Sequence, residues 1–250
     1  MTNKYIYFVA NWKMFGDIKS LNSVNKVIKF SKLYNKFKFK LIYCPPYTLL
    51  SSFAKKIQNS YIYLGAQNCH HIPDDGPYTG SISSRMLKNI GVSYVMIGHS
   101  ENRSEGDTDI MINKKIKSCI KNNLKIIFCI GETLSQKKRG LTHKTLKNQI
   151  LKGLKGIRKI NNVFFAYEPI WSIGTGIIPK SSKLEKDIKY LKLFINKQFK
   201  NSNIKILYGG SVNSNNIKSL KNINNIDGFL VGGASQNTKK FIDIVKKTFN

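Results

Sequence analysis

Arginine is scarce in this chain. Only Arg85, Arg103, Arg139 and Arg158 stand among 42 basic residues in a sequence of 250. The planar guanidinium is the preferred reader of phosphates and base edges, so its scarcity weighs against a dedicated nucleic-acid reader despite a net charge of +29. Acidic residues are also few, 13 in all, which leaves the lysines unbalanced. No lysine run is longer than two, and lysine, asparagine and isoleucine all draw on AT-rich codons. The charge therefore reads as compositional drift rather than a binding patch, and no specific nucleic acid is expected as a partner. The four cysteines, Cys44, Cys69, Cys119 and Cys129, form no CxxC pair. That argues against a disulfide framework and for reduced thiols in a cytoplasmic protein. Cys69-His70-His71 has no suitably spaced fourth ligand, and adjacent residues rarely point at one ion, so no metal is expected. Long apolar runs are missing as well. Tyr5-Ile6-Tyr7-Phe8-Val9-Ala10 is too short for a signal-peptide core or a membrane span. A linker, a low-complexity tract and a second domain are likewise not found.

What is present can build a core: 41% hydrophobic and 11% aromatic residues. Short runs rich in β-branched and aromatic residues recur near 5–10, 38–43, 61–65, 93–97, 124–129, 162–167, 204–208 and 226–231. Several are continuously apolar, such as Tyr94-Val95-Met96-Ile97, as in strands covered on both faces. Lys-rich segments with helical spacing lie between them, at 17–33, 141–157, 183–199 and 238–249. In the first, Asp17 is the expected cap, with Ile18, Leu21, Val24 and Ile28 along one face. Residues 66–84 read as a long loop. Eight strands alternating with helices over about 250 residues predict an α/β fold, a single (β/α)8 barrel spanning residues 1–250.

Such barrels carry their chemistry at the C-terminal strand ends. The residues there are Asn11 and Lys13, then Gln67 and Asn68, then His99 and Glu101, then Gly131-Glu132. Glu168, Gly209-Gly210-Ser211 and Gly232-Gly233 complete the rim. Glycine lets backbone N–H groups approach an anion, and the last two loops are where barrels often hold phosphate. Glu168 follows the buried run Val163-Phe164-Phe165-Ala166, and burial raises a carboxyl towards useful base strength. Ile170 to Pro179 is long, apolar and glycine-hinged, the composition of a lid. His99 precedes Ser100-Glu101, which could open a helix; a helix N-terminus favours neutral imidazole.

The ordered set Asn11-Trp12-Lys13-Met14, Gly65-Ala66-Gln67-Asn68, Tyr78-Thr79-Gly80, Ile97-Gly98-His99-Ser100-Glu101 and Cys129-Ile130-Gly131-Glu132-Thr133 resembles the triosephosphate isomerase family. Tyr167-Glu168-Pro169-Ile170-Trp171-Ser172-Ile173-Gly174-Thr175-Gly176, Tyr208-Gly209-Gly210-Ser211-Val212 and Val231-Gly232-Gly233-Ala234-Ser235 extend the resemblance from end to end. It implies interconversion of dihydroxyacetone phosphate and glyceraldehyde 3-phosphate through an enediolate, without a cofactor. Glu168 would move the proton, neutral His99 would polarise the carbonyl, and Lys13 and Asn11 would stabilise the oxyanion. Glu101 would orient Lys13, and Ser100 would hold Glu168 while the lid is open. Backbone N–H groups of Gly174, Ser211, Gly232 and Gly233 would bind phosphate. The resemblance also implies a homodimer in which the 68–84 loop, tipped by Thr79, docks beside the partner's Asn11, Lys13 and His99.

Three positions depart from the family pattern. Asn102 stands where an arginine is usual, Ser81 where a glutamate is usual, and Ile177-Ile178-Pro179 forms an unusually stiff far hinge. The first two are normally paired, so losing both leaves no stranded charge. The competing readings are another phosphate-binding barrel enzyme, which would lack the Glu168, His99 and Lys13 set, and a cationic nucleic-acid-binding side activity.

Overall fold

The structure is a computed structural model that describes residues 5–200 and 203–249. The expected domain limits, residues 1 and 250, lie outside the described residues.

Eight parallel strands close into a barrel in chain order. They are β1 (Ile6–Asn11), β2 (Phe39–Cys44), β3 (Ile62–Ala66), β4 (Tyr94–Ile97), β5 (Lys125–Ile130), β6 (Val163–Tyr167), β7 (Lys205–Tyr208) and β8 (Gly228–Val231). Each lies within two residues of the apolar run that predicted it. The helices are α1 (Leu21–Leu33), α2 (Leu50–Ile57), α3 (Ser84–Asn89), α4 (Ser100–Ser104) and α5 (Asp109–Lys121). After β5 come α6 (Leu134–Lys138), α7 (Thr142–Gly153), α8 (Ser181–Phe199), α9 (Ile217–Lys221) and α10 (Thr238–Phe249).

Strand alternation sorts the side chains into two cores. Val9, Ile42, Met96, Ile127, Phe164 and Leu207 fill the barrel interior. Their neighbours in sequence, among them Phe8, Leu41, Val95, Ile126 and Phe165, point outward beneath the helices. Both strand faces are therefore buried, which explains why β4, β6 and β8 carry uninterrupted apolar sequence.

Two local expectations are corrected. Helix α1 begins at Leu21, not near Asp17. The Asp17 carboxylate instead accepts hydrogen bonds from the Ser20 amide (2.8 Å) and hydroxyl (2.7 Å), closing a turn of its own. Ile18 is then outside the helix and 64% exposed, whereas Val27 and Phe30 complete the buried stripe. Residues 66–84 do form a long loop before the short helix α3, whose first turn is capped by the Ser83 hydroxyl accepting from the Met86 amide. No helix among the described residues is long and apolar enough to cross a membrane.

Candidate active site

Each strand delivers its chemistry at its C-terminal end, and the sequence immediately beyond fixes how. After β1 the chain turns at Lys13, whose φ of +55° lies in the left-handed region. A non-glycine residue there costs on the order of 1–3 kcal/mol, so something must hold it. The Lys13 amide donates to Asn11 Oδ1 (3.0 Å), and Gln67 Nε2 donates to the Lys13 carbonyl (2.8 Å). The turn sends the ammonium across the barrel mouth to Glu101, with Nζ 2.5 Å from Oε1.

Beyond β4, Gly98 adopts φ +77°, which sets His99 as the N-cap of α4. Its Nδ1 accepts from the Glu101 amide at 3.2 Å. That bond uses the Nδ1 lone pair, so the ring proton sits on Nε2. Nε2 in turn lies 3.6 Å from Glu168 Oε1. The imidazole thus meets the barrel mouth as a donor. Arg103 braces this strand end by donating to the Gly98 carbonyl (2.8 Å) and to Asp109 (2.8 Å).

Glu168, beyond β6, is 3% exposed, and its Oε2 has no hydrogen-bond partner among the described residues. Burial pushes the carboxyl above the ordinary glutamate range, while His99, the Cys129 thiol and Lys13 pull it partly back. Two glycines make the room. A Cβ at Gly209 would sit 2.6 Å from Glu168 Cγ, and one at Gly131 would collide with the Glu168 backbone. Ser100 opens α4 nearby, but no hydrogen bond joins it to Glu168 in this arrangement.

The lid that follows is latched at both ends. Trp171 Nε1 donates to Glu132 Oε1 (2.9 Å), and Tyr167 OH donates to Glu132 Oε2 (3.2 Å). Burial raises the Glu132 carboxyl, an effect these two donors oppose. Ser172 Oγ donates to the Ile177 carbonyl (2.6 Å), lies 3.1 Å from Tyr208 OH and accepts from the Ser211 amide (3.3 Å). Gly174 and Gly176, with φ of +71° and +78°, supply the bends between.

One cavity of about 260 Å³ is lined by Asn11, Lys13, His99, Glu168, Gly174, Ser211, Gly232 and Gly233. Eight of the eleven expected site residues therefore meet in one place. Gly233 has open space where a side chain would stand, and Gly232 faces only the Lys13 stem, so backbone lines that end of the cavity. Lys13 is the one cation among the lining residues, which also include His99 and Glu168. Glu101 stands one bond behind Lys13. Thr79 lies apart, on the exposed turn closed by Ser81 N–H donating to the Tyr78 carbonyl (2.9 Å). Among the described residues, no three His, Cys, Asp or Glu side chains are placed to hold a metal ion.

Sequence reasoning did not assign the latch residues Glu132, Ser172 and Tyr208, nor the Cys129 thiol behind Glu168. Gly210 stands in a loop where barrels often hold phosphate, yet the space beside it and Gly209 is filled by Glu168, Tyr208 and Ser172. Only their positions one and two residues beyond β7 signal this.

Comparison with known proteins gives one consistent picture. A family model described as triosephosphate isomerase matches residues 6–248. The triosephosphate isomerase of Thermodesulfovibrio yellowstonii is 42% identical, with 98% of this chain and all of that protein covered. That of Alkaliphilus oremlandii is 40% identical over 94% of this chain and 96% of its own length. The crystal structure of triosephosphate isomerase from Bartonella henselae superposes with a TM-score of 0.89 at 31% identity, covering 98% of this chain and 99% of that one.

Proposed function

Because the chain belongs to the triosephosphate isomerase family, and so interconverts dihydroxyacetone phosphate and D-glyceraldehyde 3-phosphate, we propose that Glu168 is the base of that reaction and His99 the acid facing it. The observation that carries this reading is their shared geometry. A buried carboxylate with an unpartnered oxygen lines the same cavity as an imidazole whose Nδ1 is already engaged. Burial leaves the carboxylate basic enough to take a proton from the carbon beside the substrate carbonyl and weak enough to return it to the neighbouring carbon. His99 Nε2–H donates to the carbonyl oxygen as charge develops there. Lys13 and Asn11 add preorganised positive charge and a donor, and Glu101 fixes where the ammonium points.

Phosphate sits against the N–H groups of Gly174, Ser211, Gly232 and Gly233, the Ser211 amide exchanging its bond to Ser172 Oγ for one to the anion. Docking it there brings the lid down through Gly174, which excludes water from the enediolate. When the lid lifts, the Glu168 carboxylate swings out to the Ser100 hydroxyl. The route uses no cofactor.

The working unit is a homodimer of single-domain chains, residues 1–250 each, in the cytoplasm. Exposed apolar side chains support this: Met14 (93%), Phe15 and Ile18 follow β1, Tyr47 follows β2, and Tyr78 stands on the 68–84 loop itself. Thr79 then reaches the partner's active-site loops. Sedimentation should give twice the 28.5 kDa chain mass, and a monomer with full activity would remove Thr79 from the account. Function itself is tested by assaying purified protein for conversion of glyceraldehyde 3-phosphate, with Glu168→Gln alongside. Rapid turnover lost in the variant supports the base assignment, and equal turnover in both refutes it.

A further inference from the structure

Two thiols the reaction does not use lie in contact. Cys69 Sγ, just beyond β3, is 3.5 Å from Cys119 Sγ on α5, a pair separated by 50 residues. They sit in the middle of a strap by which successive turns of α5 hold the base of the 68–84 loop. Lys115 Nζ donates to Asn68 Oδ1 (3.1 Å), the Ser118 hydroxyl donates to the His70 carbonyl (3.4 Å), and Asn122 Nδ2 donates to the Pro73 carbonyl (3.2 Å). Further out, Lys121 pairs with Asp74 (2.6 Å). All the other ties are polar; at the centre are two sulfur atoms.

We propose that Cys69 and Cys119 are a reversible oxidation site, closing an intramolecular disulfide that fastens the loop base covalently to α5. A disulfide needs the sulfurs at about 2.05 Å, so each must move less than about 1 Å from where it stands. Access decides the order. Both thiols are buried, but Cys69, 3% exposed, lines a groove of about 370 Å³ beside the loop, whereas Cys119 is wholly enclosed. The Cys119 thiol is also held well above the ordinary cysteine range by its bond to Cys69 and by burial, and Lys115 opposes both. Hydrogen peroxide, little larger than water, oxidises Cys69–SH to Cys69–SOH and leaves as water. The Cys119 sulfur then attacks the sulfenic sulfur, forming the S–S bond and releasing a second water that carries the Cys119 proton. Two thiols are oxidised and one peroxide is reduced. A dithiol reductant reverses the step by exchange. Cys44 and Cys129, both buried in the barrel interior, have no such partner sulfur.

The test treats the intact purified protein with hydrogen peroxide, then unfolds it and alkylates the remaining thiols. Two of the four cysteines should be blocked, with a mass loss of about 2 Da and a cross-linked peptide joining residues 69 and 119. Dithiothreitol should restore all four. Cys69→Ala should keep all three remaining thiols alkylatable at the same peroxide dose, whereas Cys119→Ala should block Cys69 alone, as a sulfenic acid that dithiothreitol restores. Closing a loop of this size should raise the Tm of the oxidised protein by roughly 5 °C or more, with kcat within about twofold, since neither cysteine lines the catalytic cavity. Four thiols still alkylatable would overturn the proposal and leave the pair as packed apolar groups. So would blockage by sulfinic acid, or a disulfide between different chains.

Discussion

Gly209→Ala should disable the enzyme while leaving its fold nearly intact. Gly209 is not among the left-handed glycines, so its backbone accepts a side chain without strain. The new Cβ would stand 2.6 Å from Glu168 Cγ and 2.9 Å from Oε1. Carbon atoms in contact prefer about 3.5–4.0 Å, so the carboxylate must retreat by about 1 Å. The atoms in the way are the far end of a flexible side chain beside a cavity, so stability should change little, by about 1 kcal/mol. The reaction is less forgiving. A base misplaced by about 1 Å costs on the order of 10²-fold in rate, close to 2.7 kcal/mol of barrier. Steady-state kinetics and a thermal melt of the same preparation separate the two effects. The expected result is a kcat reduced about 100-fold with a Tm within about 4 °C of wild type. A variant with wild-type kcat and unchanged Tm would refute the claim that Gly209 is kept small for the base.

Further outcomes concern charge. As the proposed base, Glu168 must be ionised, and burial raises its pKa, so the acid limb of kcat/KM should lie above the ordinary glutamate range; a limb within that range would contradict the burial argument. The same shift has a sign for stability. A carboxyl raised in the folded state contributes most below its unfolded pKa and loses that contribution as pH rises through the folded value. Glu168→Gln should therefore be more stable than wild type at pH 7 and lose that advantage at pH 4, as melts at the two pH values would show. Lys115→Met strands Asp107, its partner at 2.6 Å, with both side chains about nine-tenths buried, and should cost about 3–5 kcal/mol. The double change Lys115→Met with Asp107→Leu should recover most of it, and a single variant as stable as wild type would show the pair to be idle.

The barrel and its mouth were legible because both are written in local pattern. Strand runs such as Ile126–Ile130 are apolar on both faces, so their type is unambiguous and their bounds fall within two residues of the strand. The residues after each run are polar or glycine because they face the one opening in the fold. What stayed hidden depends on space or on weak propensity. Asp17 and Ser20 are both good caps, and the first formed a turn with the second rather than opening the helix. Nothing in Asn11-Trp12-Lys13 announces a left-handed lysine, because Gln67, 54 residues on, helps to hold it. The Glu132, Trp171 and Ser172, Tyr208 latches join strand ends that meet only when the barrel closes. The same holds for Cys69 and Cys119.

The role of Glu168 is tested most directly by kcat for Glu168→Gln, measured on protein whose melt shows it folded. Glutamine keeps the shape and removes the base, so kcat should fall about 10²–10⁴-fold with KM little changed. A kcat within tenfold of wild type would mean that another group moves the proton.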